Sequence, residues 1–190
     1  MRIAAVREYT LGILDARPGE TIVDVACGSG AMLPALAARV GSQGRVIGIE
    51  QSPEMLATAR RRFAYGRLPA NVELVAGPAE MARLSPGVAA FVFSYAHDVL
   101  QSPAALGNLL AARKPGARVV VCGMRLLPWW YAAPANLWCI WGARHYLSTF
   151  RGLHRPWSAL REHCADFALV RTFHAGMSFV ALGHLRGGTQ

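Results

Sequence analysis

Lysine is almost missing from this chain. Lys114 is the single one, so arginine supplies the rest of the 20 basic residues, set against only 11 acidic ones. The resulting net charge of +9 suits an acidic substrate, an anionic membrane surface or nucleic acid, yet an arginine bias of this kind is as much the mark of a G+C-rich bacterial genome. The densest cationic run, Arg60, Arg61 and Arg62, falls at the end of an expected helix, where cations complement the dipole. No recognition motif accompanies it, so it reads as a solvated helix end and no nucleic-acid partner is expected. Cysteine is scarce and scattered: Cys27, Cys122, Cys139 and Cys164 show neither CxxC spacing nor short pairing with histidine. That indicates neither a metal site nor a disulfide framework and makes a reducing cytoplasm the expected compartment. No repeat, low-complexity run or polar linker divides the 190 residues, so 1–190 is expected to form one domain. Arg2, Arg7 and Glu8 interrupt the N-terminal apolar residues, and a signal peptide is not expected.

What the chain does have is a glycine-rich turn between a β-branched run and a helical pattern. Residues 23–30 read VDVACGSG, and twenty positions past the last glycine the segment RVIGIE ends on Glu50. Gly28 and Gly30 allow close backbone approach and positive φ, and an acid at the tip of the next strand is placed to accept hydrogen bonds from a ribose diol. The third glycine of a dinucleotide fingerprint would fall at Leu33, so a pyrophosphate is not specified. Asp24, inside the strand, suits a cofactor bearing an amine and a sulfonium better than one bearing phosphates.

The coarse pattern alternates: strands at 21–26, 45–50, 71–76, 88–95 and 117–123, and helices at 30–40, 53–64, 79–84 and 103–112. A further helix at 11–15 precedes the first strand. Ser52-Pro53-Glu54 and Ser102-Pro103 are good helix starts, with serine as cap and proline in the first turn. Such alternation means a parallel sheet with helices on both faces. After residue 123, Phe167 to His174 and Ser178 to Leu185 read as two more strands joined tightly through Gly176.

These motifs resemble the class I S-adenosylmethionine-dependent methyltransferases. VDVACGSG fits their first motif, with Ala26 in place of its first glycine, and GIEQSPEMLATAR, VELVAGPAEM, FVFSYAHDVLQSP and KPGARVVV follow in the family's order. The resemblance implies an α/β, doubly wound Rossmann-like, seven-stranded and mainly parallel sheet with a C-terminal antiparallel hairpin and a helical, aromatic-rich cap. It implies S-adenosylmethionine as cofactor: Asp24, Ala26, Cys27, Gly28 and Gly30 around its methionine part, Glu50 on the ribose hydroxyls, Gln51 and Met55 beside the adenine. Where the family often has an acid after strand three this chain has Pro78, so adenine contact there falls to backbone groups at Pro78 and Ala79, or to Glu80. Ser94 and Tyr95 are expected to shape the pocket above the cofactor. Within the family, the branch resembled is that of ubiquinone and menaquinone biosynthesis.

Residues 124–160 are expected to be an inserted cap that chooses the substrate. They hold all five tryptophans, Trp129, Trp130, Trp138, Trp141 and Trp157, and 126–143 carry no charge. Pro128, Pro134 and Asn136 argue against a membrane span. Three readings stand: rings that pack the cap onto the sheet, a cap whose inner face lines an apolar acceptor pocket, and a patch that dips into a membrane interface. His97 and Asp98, after strand four, are candidates for a base near neutral pH; His145 and Tyr146, with Arg144 for an anionic acceptor, compete with them. The expected partner is a small aromatic or hydrophobic acceptor, such as a natural-product ring, a quinone-like precursor or a lipid headgroup. With a short N-terminal arm, the pocket is expected to be open or to be closed by a second subunit, as in a homodimer. A nicotinamide-dependent enzyme and a noncatalytic adenosyl-binding protein are the alternatives.

Overall fold

A computed structural model describes residues 3–63, 67–144 and 149–187. Seven strands form one sheet in the order β3-β2-β1-β4-β5-β7-β6. Strands β1 (Thr21–Val25), β2 (Arg45–Glu50), β3 (Val72–Ala76), β4 (Val88–Ser94) and β5 (Arg113–Met124) run parallel, and β7 (Ser178–Leu185) pairs antiparallel with both β5 and β6 (Cys164–Phe173). The central strands are the most apolar: β1 is buried from Ile22 to Val25 and β4 from Val88 to Phe93, as expected where helices cover both faces.

Those helices are α1 (Ile3–Leu14), α2 (Leu33–Val40), α3 (Pro53–Arg60), α4 (His97–Leu100), α5 (Pro103–Ala111), α6 (Trp129–Ala143) and α7 (Ser158–Glu162). Two buried clusters flank the sheet. Leu106, Leu109, Phe91, Phe93 and Leu160 pack on one side; Val6, Leu14, Leu33, Leu36 and Val120 pack on the other. Ser52 and Ser102 cap α3 and α5, accepting from the amides of Met55 at 3.3 Å and Ala105 at 3.2 Å. Each helix has its proline in the first turn, where no hydrogen-bond donor is lost.

Several boundaries differ from the sequence expectation. Helix α2 starts at Leu33 rather than 30, because the glycine-rich turn continues through Met32. Helix α3 ends at Arg60 instead of reaching 64, and the helix before β1 extends back to Ile3. The short helix after β3 shrinks to a single 3-10 turn, Ala79–Met81. Strand β5 begins four residues early, at Arg113, and crosses a β-bulge opposite β4 between Val88 and Ala90. Gly116 absorbs the irregularity with φ of 69°, so Lys114-Pro115-Gly116 lies within the strand and does not merely precede it.

The strand order reverses between β1 and β4, which are hydrogen-bonded neighbours though distant in sequence. At such a switch point the loops at the carboxyl ends diverge and leave a crevice. The glycine-rich turn leaves β1 there, and Tyr95 to His97 leave β4 beside it.

Candidate active site

Both loops at the crevice hold strained backbone. Ala26 and Tyr95, neither of them glycine, adopt φ of 51° and 59°, a conformation that costs L-residues about 1–2 kcal/mol. Neighbouring hydrogen bonds hold them there: the Cys27 amide donates to Ile49 O at 2.9 Å and the Tyr95 amide to Cys122 O at 2.8 Å. Such outliers concentrate at functional sites, where packing over-determines them.

Gly28 and Gly30 have positive φ, 56° and 69°, but they serve different ends. A Cβ on Gly28 would meet nothing within 4 Å, whereas one on Gly30 would lie 2.8 Å from Ala59 Cβ and 3.0 Å from Leu33 Cδ1. Gly28 therefore faces open space, and Gly30 lets the loop press against α3. Arg62, past the end of α3, reaches back to donate to the carbonyl and, at 3.0 Å, to the hydroxyl of Ser29. The arginine run is thus not wholly a solvated helix end, since one member fastens the loop. A contact made across 33 residues of chain leaves no local trace in sequence.

Glu50, at the tip of β2, is braced from both sides. Its two carboxylate oxygens accept the amides of Gly28 and Ser52, each at 2.9 Å, with lone pairs left for further donors. Asp24 lies 2 % exposed within β1, and its Oδ1 has no hydrogen-bond partner among the described residues. Burial pushes its carboxyl up to about 7, with Arg7 opposing and Glu50 adding to the shift. Arg7 comes from the half-buried side of α1 and was not singled out by any motif. Cys27 is half-buried, and burial raises its thiol well above the usual range.

The remaining sequence candidates separate. Gln51 is exposed and Met55 is 42 % exposed at the outer rim. Pro78 is exposed, Ala79 is buried with its carbonyl bonded to Asn108, and Glu80 turns to solvent, where it accepts from the Ser102 hydroxyl at 2.7 Å. Ser94 accepts weakly from Cys122 Sγ at 3.4 Å, and burial pushes the Tyr95 phenol up to about 12.

His97 opens α4 and is buried, with Nε2 3.0 Å from Arg151 O. A carbonyl only accepts, so Nε2 carries the hydrogen and Nδ1 keeps its lone pair. Nδ1 is buried without a partner among the described residues, and burial holds the imidazole below its ordinary value against the opposing pull of the Arg151 carbonyl and Asp98. Asp98 is half-buried on the same turn. His145 and Tyr146 lie outside the described residues.

His97, Tyr95, Gly123 and Phe179 wall a cavity of about 30 Å³, room for about one water. Leu153 also lines a neighbouring cleft of about 630 Å³, with Trp129, Tyr131 and Phe150 and with Arg125, His154 and Arg155. The expected inner face of the cap is otherwise composed. Ala132, Asn136 and Cys139 are the buried positions of α6, while Trp138 and Trp141 point to solvent. Asn136 secures the helix, donating to Leu127 O at 2.8 Å and accepting from Leu127 N at 3.0 Å. Trp157 alone among the five tryptophans packs into the core, edge-on to Phe179 with ring centroids 4.5 Å apart.

Sheet order, hairpin and glycine-rich crevice together define a class I S-adenosylmethionine-dependent methyltransferase fold. Solved structures agree: a SAM-dependent methyltransferase from Aquifex aeolicus superposes with a TM-score of 0.64 at 22 % identity, covering 94 % of this chain and 89 % of that one. An RNA methyltransferase from Salinibacter ruber in complex with S-adenosyl-L-homocysteine gives 0.60 at 17 %, covering 98 % and 94 %. Residues 22–116 match the methyltransferase domain family, and the chain belongs to it. Among curated proteins it is 40 % identical to an uncharacterized 37.1 kDa protein in transposon TN4556 of Streptomyces fradiae, over 62 % of this chain and 34 % of that protein. It is 38 % identical to demethylmenaquinone methyltransferase from Bacillus cereus, over 41 % of this chain and 32 % of the enzyme. The chain spans about a third of the length of these curated relatives.

The residues present fit the family's cofactor. An orphaned buried carboxylate oxygen at Asp24, the bare Cα of Gly28 against open space and the braced carboxylate of Glu50 offer acceptors to an ammonium and a diol.

Proposed function

We propose that this protein transfers a methyl group from S-adenosylmethionine to a small aromatic or hydrophobic acceptor. The observation that carries the reading is Asp24: a buried carboxylate oxygen without a partner is costly, and the charge that acts on it, Glu50, accepts the amide of Gly28, whose missing side chain leaves open space. Asp24 and Arg7 would hold the amino-acid end of the cofactor, and Glu50 its ribose hydroxyls. When bound, the cofactor supplies a methyl already activated by its sulfonium. What remains for the chain is to align the acceptor and exclude water.

The cleft walled by Trp129, Tyr131 and Phe150 is large enough for a ring-sized acceptor, and the water-sized cavity on the other side of Leu153 is walled by His97. With Nε2–H donated to Arg151 O, the free lone pair at Nδ1 is available to take a proton from an acidic acceptor hydroxyl. The similarity to a demethylmenaquinone methyltransferase favours a quinol-like ring among such acceptors.

Calorimetric titration with S-adenosylhomocysteine and with NAD tests the cofactor: tight binding of the first and none of the second is expected, and the reverse overturns the reading. Labelled methyl transfer to a panel of hydroxyaromatic compounds tests the acceptor. With an accepted substrate, His97→Ala is expected to lower turnover about 10²–10⁴-fold while S-adenosylhomocysteine affinity holds. Near-normal turnover would leave alignment alone as the chain's contribution.

A further inference from the structure

Helix α6 is apolar on every side. A helix of that kind is normally buried all round, but only its inner face is covered here. On the outer face Trp130, Leu137, Trp138 and Trp141 are 86 %, 59 %, 67 % and 65 % exposed. Leu137, Trp138 and Trp141, spaced by one and three residues beyond the kink at Ala132, share one stripe of a 3.6-residue helix, and Trp130, before the kink, is the most exposed of the four. Single exposed apolar residues need no explanation, whereas three tryptophans and a leucine exposed on one short helix mark a surface that meets something.

The charge around the stripe identifies the occupant. No aspartate or glutamate occurs between Asp98 and Glu162, so this third of the chain is purely cationic. Arg144 ends α6 with its guanidinium 4.5 Å above the Trp141 ring. Arg151 and Arg155 are exposed on the segment that follows α6, and Arg155 lines the rim of the cleft beside Trp129 and Tyr131. A second copy of the chain would set two such cationic faces against each other, which disfavours self-association through this stripe. A layer of phosphate headgroups over acyl chains complements both features, since tryptophan resides at the boundary and arginine pairs with phosphate. No helix among the described residues is long and apolar enough to cross a membrane, and Pro134 with the kink at Ala132 breaks α6 further. The helix is therefore suited to lie in the interface plane.

We infer that the outer face of α6 docks on an anionic lipid bilayer, with Trp130, Leu137, Trp138 and Trp141 entering the acyl boundary and Arg144, Arg151 and Arg155 meeting the phosphates. The inference does not rest on the methyl-transfer reading: the Arg151 carbonyl holds His97 and Arg155 lines the cleft, but vesicle binding is read without cofactor or acceptor. Its consequence for that reading is that the cleft lined by Trp129 and Tyr131 would open beside the membrane surface, where a lipid-borne acceptor resides.

The test is sedimentation of the full chain, without cofactor, with vesicles of equal phosphatidylglycerol and phosphatidylcholine and with vesicles of phosphatidylcholine alone. Binding to the first, weakened by salt and at least about 10-fold weaker on the second, is expected. Tryptophan emission should shift to the blue on binding and be quenched by brominated acyl chains. The combined Trp130→Ser, Trp138→Ser, Trp141→Ser variant should lose binding by at least about 10-fold, while its near-ultraviolet dichroism from Trp157 against Phe179 reports an intact fold. The milder pair Arg144→Gln, Arg151→Gln should lose about 5- to 30-fold and most of the salt dependence. Absence of sedimentation by the parent chain overturns the proposal. So does a triple variant that binds as the parent does, or light scattering that shows a dimer dissolved by the triple variant and no vesicle binding.

Discussion

The glycine-rich crevice and the α6 cap occupy neighbouring positions at the carboxyl edge of the sheet, yet they are built on opposite rules. At the crevice hydrogen bonds fix the loops, Glu50 by two amides, Ser29 by Arg62 and the Tyr95 turn by Cys122, and leave Asp24 Oδ1 and His97 Nδ1 without a partner among the described residues. The cap is fixed at few points, chiefly Asn136 on Leu127, and leaves its largest side chains in solvent. The first region obtains its precision from backbone geometry, so small steric changes there should be felt strongly. The second presents surface, and its substitutions should be felt only by whatever meets that surface.

The sharpest contrast lies inside the crevice. Gly30→Ala forces a Cβ to within 3.1 Å of the Ala59 backbone at a positive φ, and overpacking with backbone strain should destabilise the fold by about 2–4 kcal/mol. Gly28→Ala meets no atom and should cost only about 1 kcal/mol of stability, while lowering S-adenosylhomocysteine affinity far more than that cost predicts. Thermal melts beside calorimetric titrations check both. Equal stability losses would mean that the two glycines share one role.

Glu50→Ala comes next, with an expected loss of about 1.5–3 kcal/mol in cofactor affinity from charge-assisted bonds. Glu50→Gln should recover little, because each of its two oxygen positions faces a backbone amide and an NH₂ in either place opposes a donor. Parent-like affinity in Glu50→Ala would remove the residue from the site.

Much of this architecture was legible in the sequence, and the exceptions share physical causes. Strand β2 was read with both ends correct, since Val46 to Ile49 is an apolar run closed at each end by a charged residue beside a turn. The capped starts of α3 and α5 were equally plain, because Ser-Pro carries its meaning in two positions. Helix α4 was invisible: four residues are fewer than one hydrophobic period needs to show. The different duties of Gly28 and Gly30 depend on what faces each missing side chain, and the Arg62 clamp depends on a contact distant in sequence. The cap defeated pattern reading most completely. An amphipathic helix announces its buried side, but α6 has apolar residues all round, so nothing local said that Ala132, Asn136 and Cys139 would turn inward and the tryptophans outward.

Asp24 gives a smaller and pH-dependent effect. Its carboxyl is pushed up to about 7 in the fold against about 4 in an unfolded chain, so the native state binds more protons between those values. Stability conferred by the protonated form is complete below pH 4, declines as pH rises toward 7 and is lost above it. Asp24→Asn should remove this slope, and the variant should gain on the parent as pH is raised from 4 to 8 in chemical denaturation. Cofactor binding makes the opposite demand, because an ammonium favours the carboxylate. At pH 6 the parent should release a proton on binding S-adenosylhomocysteine, measurable as a buffer-dependent enthalpy, and the variant should release less while binding more weakly. A parent with no proton release would place the ammonium elsewhere.

The smallest expected effect belongs to the cap's outer face. Trp138 is two-thirds exposed, so Trp138→Ala should change stability by less than about 0.5 kcal/mol and leave methylation of a water-soluble acceptor at the parent rate. Trp157 provides the contrast, since it packs against the core beside Phe179 and its truncation should cost about 3 kcal/mol or more. Two tryptophans of one cap would then differ several-fold in folding energy, in the order of their burial. If Trp138→Ala instead raised the apparent binding constant of a soluble acceptor while sparing S-adenosylhomocysteine, the outer ring would have to close over the cleft during turnover, and the division between a fixed crevice and a presenting surface would not hold.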